Sequence, residues 1–401
     1  MSNYDYLEKC PICGKQVKTV ISIKNRDIIG MASEYTQDVG FCRNCGFIFT
    51  QNPFSDEQFK NRYSNYSKFE FDDNEYFLDE SESYKKRCYR QKEFIKRTID
   101  YNDFDSILEI GAASGFNLSI YSDKQTYGIE PSKQNVDNAK KYYNIKMFCG
   151  MFEEFNKQFF GEGVKYNLVF SSMSLEHIVN PLKFIQTVSH YCDKYMFIEV
   201  PTFDYKISNE PFGMFCEEHV NMFTLESLQK LMNVCGYQLI DVDFIFSINE
   251  TLPAGYPSMS TLWKKTNLIK PYIFVNNSEI ILHRYIEDSK QILDKIDKCI
   301  DSVSDKERLA IWGTGHHASM LYENTCLKNK HIVKIFDSDK KKTGLCMFNC
   351  TIEPFDEKYI VYHEIDCILV ATYTAMKPIS KILEKYSNEI KIILLYEINN
   401  I

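Results

Sequence analysis

Short apolar runs alternate with amphipathic stretches between Ser106 and Asp243. The runs are rich in Ile, Leu, Val, Phe and Tyr, and they are separated by stretches whose apolar residues recur at helical spacing. In chain order the runs read SILEIG, TYGIEP, IKMFCG, YNLVFSS and YMFIEVP. Alternation of this kind predicts βα units, and therefore a parallel sheet in an α/β fold.

A second and smaller series of apolar runs begins at Arg308 and reads RLAIWGTG, HIVKIFDSD, DCILVAT and IKIILLY. The same reasoning predicts a second, smaller Rossmann-like sheet in this part of the chain. Between the two series, residues 277–303 carry apolar residues near helical spacing and contain no Pro or Gly. This stretch predicts a linking helix.

The composition restricts the class of protein. The 401-residue chain is 44% hydrophobic and 25% charged, which is ordinary for a globular protein with sizeable cores. Its formal net charge of −8 argues against a nucleic-acid partner, because such proteins carry basic surfaces. The sequence shows neither a secretory signal nor an apolar run of the about 18 residues that a membrane span needs. We therefore expect a cytoplasmic protein with no membrane partner.

Two CxxC pairs stand near the N-terminus, Cys10 with Cys13 and Cys42 with Cys45. Two residues between cysteines let one tight turn present both sulfurs to one ion, and four thiolates satisfy tetrahedral zinc. The span between the pairs exceeds the usual about 15–20 residues, which predicts a small ribbon with an extended insertion. Because all four ligand positions are filled, the predicted zinc is structural. A redox CxxC and four unrelated buried cysteines are the alternatives.

The first apolar run leads into the loop Gly111-Ala112-Ala113-Ser114-Gly115. A turn with so little side chain lets a cofactor approach the backbone, with helix N–H groups beneath it. Glu109 precedes the loop. Glu130 ends the next run, about 20 residues after Gly111, where a carboxylate can accept hydrogen bonds from ribose hydroxyls.

These motifs resemble those of the class I S-adenosylmethionine-dependent methyltransferases, over roughly residues 70 to 250. Glu109, Gly111 and Gly115 match the family's acidic-x-G-x-G-x-G motif, and Ala113 replaces its middle glycine. The resemblance implies a Rossmann-like core with S-adenosylmethionine as cofactor, the adenine lying against the stretch that follows IKMFCG. The cofactor-binding residues that it implies are Glu109, Gly111, Ala113, Gly115, Glu130, Met151, Phe152 and Ser171.

The order of zinc module, methyltransferase core and small Rossmann-like domain resembles that of the bacterial sugar C-methyltransferases, which act on nucleotide-linked keto-deoxysugars. Glu218 and His219 match the last two positions of that family's Y-H-E-H motif, whereas Cys216 and Glu217 replace the first two. The family's HGGS-like stretch has no counterpart, since residues 247–253 read SINETLP. The resemblance implies catalytic roles for Glu218, His219, His177 and Tyr76.

Methyl transfer from a sulfonium requires alignment with the nucleophile and, where needed, removal of a proton. Methylation of a carbon beside a ketone needs a base and a donor that holds the enolate oxygen, whereas methylation of a hydroxyl needs only the base. A His–Glu pair such as Glu218 and His219 can be that base, because a carboxylate raises the imidazole pKa and fixes its tautomer. The residues leave both reactions open, and surface or packing roles remain the alternatives for His177, Tyr76 and this pair.

The second glycine loop, Gly313-Thr314-Gly315-His316-His317-Ala318, fits G-x-G-x-x-A, and Asp337 ends the following run. This loop is closer to a dinucleotide fingerprint than the first. It can bind a nucleotide, including that of the substrate, it can bind NAD(H), or it can belong to a degenerate Rossmann domain that only completes the active-site wall. His316 and His317 stand at the helix start, where a phosphate could lie, or they are exposed first-turn residues.

We expect a methyltransferase that uses structural zinc and acts by C- or O-methylation on a nucleotide-linked sugar or glycan precursor, as a monomer or weak homo-oligomer. A non-catalytic zinc-containing scaffold protein and an NAD-linked enzyme are the alternatives. The domains expected are a zinc-binding module (1–62), a methyltransferase domain (63–270), a linking helix (271–305) and a C-terminal Rossmann-like domain (306–401).

Overall fold

In the computed structural model, the residues described are 6–25, 35–55, 57–59, 82–155, 164–205, 210–216, 218–246, 257–267, 277–373 and 375–396. The chain divides into two compact units. The first comprises Met1–Val20, Val39–Lys206 and Glu217–Leu282, and the second Ile21–Asp38, Ile207–Cys216 and His283–Ile401. The four-domain division expected from the sequence stays a prediction.

The strands and helices follow the chain in a largely alternating order. The strands are β1 (Lys18–Asn25), β2 (Tyr35–Phe41), β3 (Ile48–Thr50), β4 (Ser106–Ile110), β5 (Gln125–Glu130), β6 (Lys146–Cys149), β7 (Tyr166–Ser172), β8 (Cys192–Pro201), β9 (Asn221–Met222), β10 (Tyr237–Ile245), β11 (Ser258–Lys265), β12 (Leu309–Trp312), β13 (Ile332–Phe336), β14 (Cys346–Met347), β15 (Cys350–Glu353), β16 (Cys367–Val370) and β17 (Lys391–Leu394). The helices are α1 (Glu82–Thr98), α2 (Phe116–Ser119), α3 (Lys133–Asn138), α4 (Pro181–Ser189), α5 (Leu225–Val234), α6 (Asn277–Asp301), α7 (His316–Asn324), α8 (Lys358–Val361) and α9 (Met376–Leu383).

The first unit is built on a seven-stranded sheet of order β10-β11-β8-β7-β4-β5-β6. Strands β8, β7, β4, β5 and β6 run parallel, as the alternating pattern predicts, and β10 and β11 add an antiparallel edge. The central strands β4 and β7 are buried along nearly their whole length, which is why their sequences are continuously apolar. This α/β sheet confirms the predicted fold class.

Local sequence signals explain where the helices of this unit begin. Asn180 caps α4 by accepting a hydrogen bond from the backbone N–H of Lys183, and Pro181 occupies the first turn, where no N–H partner is needed. Thr224 caps α5 in the same way through Ser227. Helix α1 covers the sheet with Phe94, whose ring meets Phe197 edge-on at 6.1 Å between centroids.

A small sheet of order β1-β2-β3-β9 holds the cysteine pairs and a later segment of the chain. Strand β3 pairs antiparallel with β2, with Val39 opposite Thr50, and on its other side with β9, with Ile48 opposite Met222. The turn between β2 and β3 contains Cys42 and Cys45. The sheet therefore connects the cysteine turn to the residues that directly follow His219.

The second unit is built on a six-stranded sheet of order β14-β15-β13-β12-β16-β17. Strands β15, β13, β12, β16 and β17, neighbours in that order, pair in parallel, and β14 pairs antiparallel with β15. The predicted linking helix forms α6. Among the helices described, none has both the length and the apolar character that crossing a membrane requires.

Candidate active site and cysteine cluster

The four N-terminal cysteines come together as the spacing predicts. Cys10 Sγ lies 3.5 Å from Cys45 Sγ, and Cys13 Sγ lies 3.4 Å from Cys42 Sγ. All four sulfurs lie within 4.8 Å of one another. Tetrahedral zinc with Zn–S distances of about 2.3 Å places its sulfurs about 3.8 Å apart, so the cluster fits that ion.

Two glycines make the turns that present these sulfurs. The backbone N–H of Gly14 donates to the carbonyl of Cys10 at 2.9 Å, and that of Gly46 donates to the carbonyl of Cys42 at 2.8 Å. Both glycines have left-handed backbones, with φ of 69° and 72°, which favours glycine at these positions. The residue after the second turn, Phe47, is fully buried and its ring packs 5.6 Å from that of Phe223.

The first glycine loop is closely packed. Gly111 and Gly115 have φ of +76° and +81°. A Cβ at Gly111 would collide with Ser174 Oγ, and one at Gly115 would lie 2.7 Å from Met147 Cε. Ala113, at φ 45°, also takes up the left-handed conformation that the middle glycine of the motif would provide. The turn therefore brings the bare backbone to the carboxyl ends of β4 and β5.

Glu130 closes this loop from the end of β5. Its Oε2 accepts the backbone N–H of Ala113 at 2.9 Å, and its Oε1 accepts that of Ser132 at 2.9 Å. Burial raises the pKa of Glu130 above its usual range, although these two N–H groups act in the opposite direction. Each carboxylate oxygen can accept more than one hydrogen bond, so capacity remains for ribose hydroxyls.

Glu109 lies beneath the loop and is only 3% exposed. Asn117 Nδ2 donates to its Oε1 at 2.9 Å. Burial raises the pKa of Glu109 from its ordinary value of 4.5 to about 8. Among the residues described, Glu109 Oε2 and the hydroxyl of Ser171 are buried with no hydrogen-bond partner. Buried polar atoms of this kind need a partner, and the amino acid part of S-adenosylmethionine offers polar ones.

The residues predicted to contact adenine follow β6. The N–H of Gly150 donates to the backbone carbonyl of Glu130 at 3.0 Å, so this turn lies directly beside Glu130, the residue predicted to bind the ribose. The N–H of Met151 donates to Glu154 Oε2 at 3.1 Å. Phe152 is buried, with its ring 5.2 Å from that of Phe184. Met151 and Phe152 thus lie at the expected end of the sheet.

The predicted catalytic residues His177 and His219 lie together, and a third group joins them. Their ring centroids are 5.2 Å apart, and His177 Nε2 lies 3.6 Å from Glu176 Oε1. Glu176, which is 2% exposed, was not singled out from the sequence as a site residue. His177 Nδ1 lies 2.8 Å from the carbonyl oxygen of Glu218, so Nδ1 is the nitrogen that carries the proton in this contact.

Backbone contacts hold these segments in place. Asn221 Nδ2 donates to the carbonyls of Leu175 and Ile178 at 3.0 and 2.6 Å, which brackets the turn that carries His177. On the other side, Thr50 of β3 donates its N–H to the carbonyl of Val220 at 2.8 Å. Asn221 was also missed from the sequence, because its role is visible only once distant segments are placed together.

Residues 82–242 match a family model described as a methyltransferase domain. The chain carries a methyltransferase domain. This match, with the glycine loop and carboxylates at the ends of β4 and β5, confirms the predicted enzyme class, an S-adenosylmethionine-dependent methyltransferase. Residues 305–393 match a second family model, described as C2185-like, N-terminal. No curated protein matches the chain.

Several solved methyltransferase structures are similar to this domain. A Clostridium acetobutylicum S-adenosylmethionine-dependent methyltransferase is 15% identical, with 48% of this chain and 95% of that chain covered and a TM-score of 0.35. The Synechocystis magnesium protoporphyrin IX methyltransferase with bound SAH is 13% identical, covering 53% and 96%, with a TM-score of 0.35. A putative sarcosine dimethylglycine methyltransferase from Galdieria sulphuraria is 15% identical, covering 45% and 85%, with a TM-score of 0.38. At these values we infer neither substrate nor site residues from them.

The second glycine loop lies outside the methyltransferase domain and has its own carboxylate. Asp337 Oδ2 accepts hydrogen bonds from the N–H of Thr314, at 3.0 Å, and from its hydroxyl, and lies 3.5 Å from Lys342 Nζ. Burial would raise the pKa of Asp337, but the Thr314 contact and Lys342 hold that pKa below its usual range. His317 is buried and its Nε2 contacts the hydroxyl of Tyr396, so it is not an exposed first-turn residue.

Of the other predicted catalytic residues, Glu218 lies within the described residues and Tyr76 does not. Glu218 is buried directly beside His219, in the segment that the small sheet holds. Tyr76 lies outside the described residues, as does Glu217. The catalytic assignments of Glu218, His219, His177 and Tyr76 therefore stay predictions.

Proposed function

We propose that this chain transfers a methyl group from S-adenosylmethionine, bound at the first glycine loop, to a carbon or oxygen of a nucleotide-linked sugar or related glycan precursor. The observation that carries the proposal is the pair of buried carboxylates, Glu109 and Glu130, on either side of the loop in a matched methyltransferase domain. The sugar class is supported by the resemblance of Glu218 and His219 to the sugar C-methyltransferase motif.

The residues around the loop would hold the cofactor as follows. Glu130 would accept hydrogen bonds from the ribose hydroxyls, and Met151 and Phe152 would flank the adenine. Glu109 and Ser171 would face the amino acid part of the cofactor. The sulfonium methyl, when present, is already activated as an electrophile, so the chain need not activate it further. The role of the protein is to orient donor and acceptor and to remove a proton.

Glu218 is our candidate for the proton acceptor. It is buried beside the two histidines, and a carboxylate within reach of the acceptor can act as a general base. His177 and His219 would lie beside the acceptor oxygen, because their rings lie together next to the same segment. In this arrangement the proton would pass from the acceptor to the Glu218 carboxylate, and the electron pair left behind would form the new bond to the methyl carbon as the methyl–sulfur bond breaks and S-adenosylhomocysteine leaves.

The cysteine cluster would hold structural zinc. Four thiolates within one coordination sphere leave no position for substrate, so we assign the ion no step in the reaction. Its place in the function is to fix the turn before β3, which pairs with the strand after His219. Metal analysis of fresh protein with Cys10→Ser and Cys42→Ser variants tests this assignment, and equal zinc content in all three would contradict it.

The direct test of the function is incubation of the full chain with methyl-labelled S-adenosylmethionine and a panel of nucleotide sugars. We expect labelled C- or O-methyl product, and a rate about 10²–10⁴-fold lower for Glu218→Gln. Glu364→Gln, which changes an exposed acidic residue of the second unit, is the matched control and should keep the full rate.

Three outcomes would count against the proposal. Methylation of another small molecule, with no sugar accepting, would refute the substrate class. An unchanged rate for Glu218→Gln would refute the assigned base. Failure of the protein to bind S-adenosylmethionine would favour a zinc-containing scaffold protein instead.

A further inference from the structure

We propose that Glu176, His177 and His219 form a divalent metal site that binds the oxygen of the methyl acceptor. The three residues form one cluster, distinct from the four cysteines, in the first unit. The use of the metal during methyl transfer rests on the proposed function, whereas the binding of the metal rests on geometry alone.

The ligand atoms are close enough for one ion. One carboxylate oxygen of Glu176 and one ring nitrogen of each histidine lie within 4.8 Å of one another. Glu176 Oε1 and His177 Nε2 lie 3.6 Å apart. Zinc with ligand distances of about 2.0–2.1 Å separates tetrahedral ligands by about 3.4 Å, so small side-chain rotations would complete the site.

The tautomer of His177 points to a cation in this place. Its Nδ1 faces the carbonyl oxygen of Glu218, which can only accept, so Nδ1 carries the hydrogen. Nε2 is then the ring nitrogen that can bind an ion, and it lies 3.6 Å from Glu176 Oε1. Metal-bound histidines typically donate their other N–H to a carbonyl or carboxylate in this way.

The backbone on both sides of the cluster is fixed by hydrogen bonds. Asn221 Nδ2 donates to the carbonyls of Leu175 and Ile178, which flank Glu176 and His177. The carbonyl of His219 accepts the hydroxyl of Thr50 at 3.3 Å. Ligands on fixed backbone lose little freedom when they bind an ion, so the site is pre-organised.

The donor set indicates the kind of ion. Two imidazoles and one carboxylate suit borderline divalent transition metals such as Zn²⁺, Co²⁺ or Fe²⁺, whereas the four cysteines select soft, thiolate-binding ions. Three protein ligands leave at least one coordination position open. A ketone or hydroxyl oxygen of the acceptor fits that position, and coordination would make the neighbouring C–H or O–H proton easier for Glu218 to remove.

The test uses the full chain, loaded with one equivalent of Zn²⁺ to fill the cysteine cluster and then titrated with Co²⁺ by equilibrium dialysis and absorption. We expect one further Co²⁺ per chain, without the sulfur-to-cobalt charge transfer that thiolate ligation produces. Glu176→Gln and His219→Asn should each weaken Co²⁺ binding by more than about tenfold. His190→Asn, an exposed histidine elsewhere in the same unit, should bind as the wild type does.

Absence of Co²⁺ binding in the zinc-loaded wild-type chain would overturn the site, as would Co²⁺ binding by Glu176→Gln and His219→Asn as tight as that of the wild type. Circular dichroism checks that the variants fold. Because Glu176 is buried, its substitution can disturb folding, so His219→Asn, at a half-buried position, is the independent second variant. Methyl transfer is measured separately. Co²⁺ binding without any methyl transfer would contradict the proposed function and leave the metal site standing, whereas methyl transfer by a zinc-loaded chain that binds no Co²⁺ would contradict only the site.

Discussion

In each of the two Rossmann-like sheets, a glycine loop follows a strand, and a carboxylate from the next strand accepts a hydrogen bond from the loop backbone. In the methyltransferase domain Glu130 accepts the N–H of Ala113, and in the second unit Asp337 accepts that of Thr314. The two carboxylates therefore occupy equivalent positions in βα units of the same kind.

The two loops differ in what surrounds them. Both glycines of the first loop, Gly111 and Gly115, have left-handed backbones and are tightly packed. In the second loop Gly313 also has a positive φ and close neighbours, whereas a Cβ at Gly315 would meet nothing within 4 Å. Asp337 is held by the Thr314 hydroxyl and Lys342. Below the first loop, by contrast, Glu109 keeps one buried oxygen without a partner among the described residues.

This difference shows that likeness to a sequence fingerprint and readiness for a ligand are separate properties. The second loop fits the dinucleotide pattern better, yet its carboxylate is paired with a cation, Lys342, as well as with the loop backbone. The first loop fits less well, since Ala113 replaces a glycine, but its buried carboxylates retain hydrogen-bonding capacity. Polar groups with capacity to spare are the better guide to the cofactor site.

The largest expected effect is that of a methyl group added to the first loop. Gly111→Ala puts a Cβ onto Ser174 Oγ at a left-handed φ, and should lower the free energy of unfolding by about 2–4 kcal/mol. Gly315→Ala, with an ordinary φ of −81° and open space, should cost less than about 1 kcal/mol. Urea unfolding of both variants measures this, and equal losses would contradict the contrast in packing.

A smaller effect is expected from pH. Because the folded pKa of Glu109 is raised from 4.5 to about 8, its contribution to stability is complete below about pH 4.5 and is lost as the pH rises toward 8. The slope is at most about 1.4 kcal/mol per pH unit. Glu109→Gln should flatten the fall in unfolding free energy between about pH 5.5 and 7.5.

Asp337→Asn is the matched control for that experiment. The folded pKa of Asp337 is lowered, so its contribution is present above its unfolded pKa and is lost only as the pH falls below that value. The Asn variant should therefore keep the wild-type slope near neutral pH. If it changed that slope as much as Glu109→Gln does, the opposite electrostatics of the two regions would be refuted.

The smallest expected effect concerns NADH. Trp312 directly precedes the second loop, is buried, and stacks on Phe355 at 4.4 Å between centroids, so its fluorescence reports binding there. Because the Asp337 carboxylate is held by the ion pair with Lys342 as well as by Thr314, we expect no saturable change in fluorescence on adding NADH. Saturable quenching that disappears in Trp312→Phe would show that the second loop binds the dinucleotide.

The parallel strands of both sheets, apart from β15, were predictable because their apolar runs are continuous and lie between glycine and helix signals. Strand β2 was missed because its sequence, YTQDVGF, mixes polar residues with few apolar ones. The hairpin of β14 and β15 was missed for a different reason. Its turn residues Phe348 and Asn349 both have positive φ, and Phe does not signal such a turn as Asn-Gly would.

The candidate site was predictable where its residues lie close together in the sequence. The CxxC pairs, the glycine loop and Glu130 are each recognised within one short segment. Glu176 and Asn221 were not, because a carboxylate beside a histidine and a lone Asn carry no signal until the fold brings segments more than 40 residues apart into contact. Contacts of this kind depend on tertiary structure, which periodicity cannot provide.

The central claim is that the methyl donor binds at the first glycine loop and not at the second. Calorimetric titration of S-adenosylmethionine into the wild-type chain, Glu130→Gln and Asp337→Asn tests it most directly. We predict one site per chain, with affinity about tenfold or more weaker in Glu130→Gln, through loss of charge-assisted hydrogen bonds, and unchanged in Asp337→Asn. Affinity that falls in Asp337→Asn and not in Glu130→Gln would contradict the account.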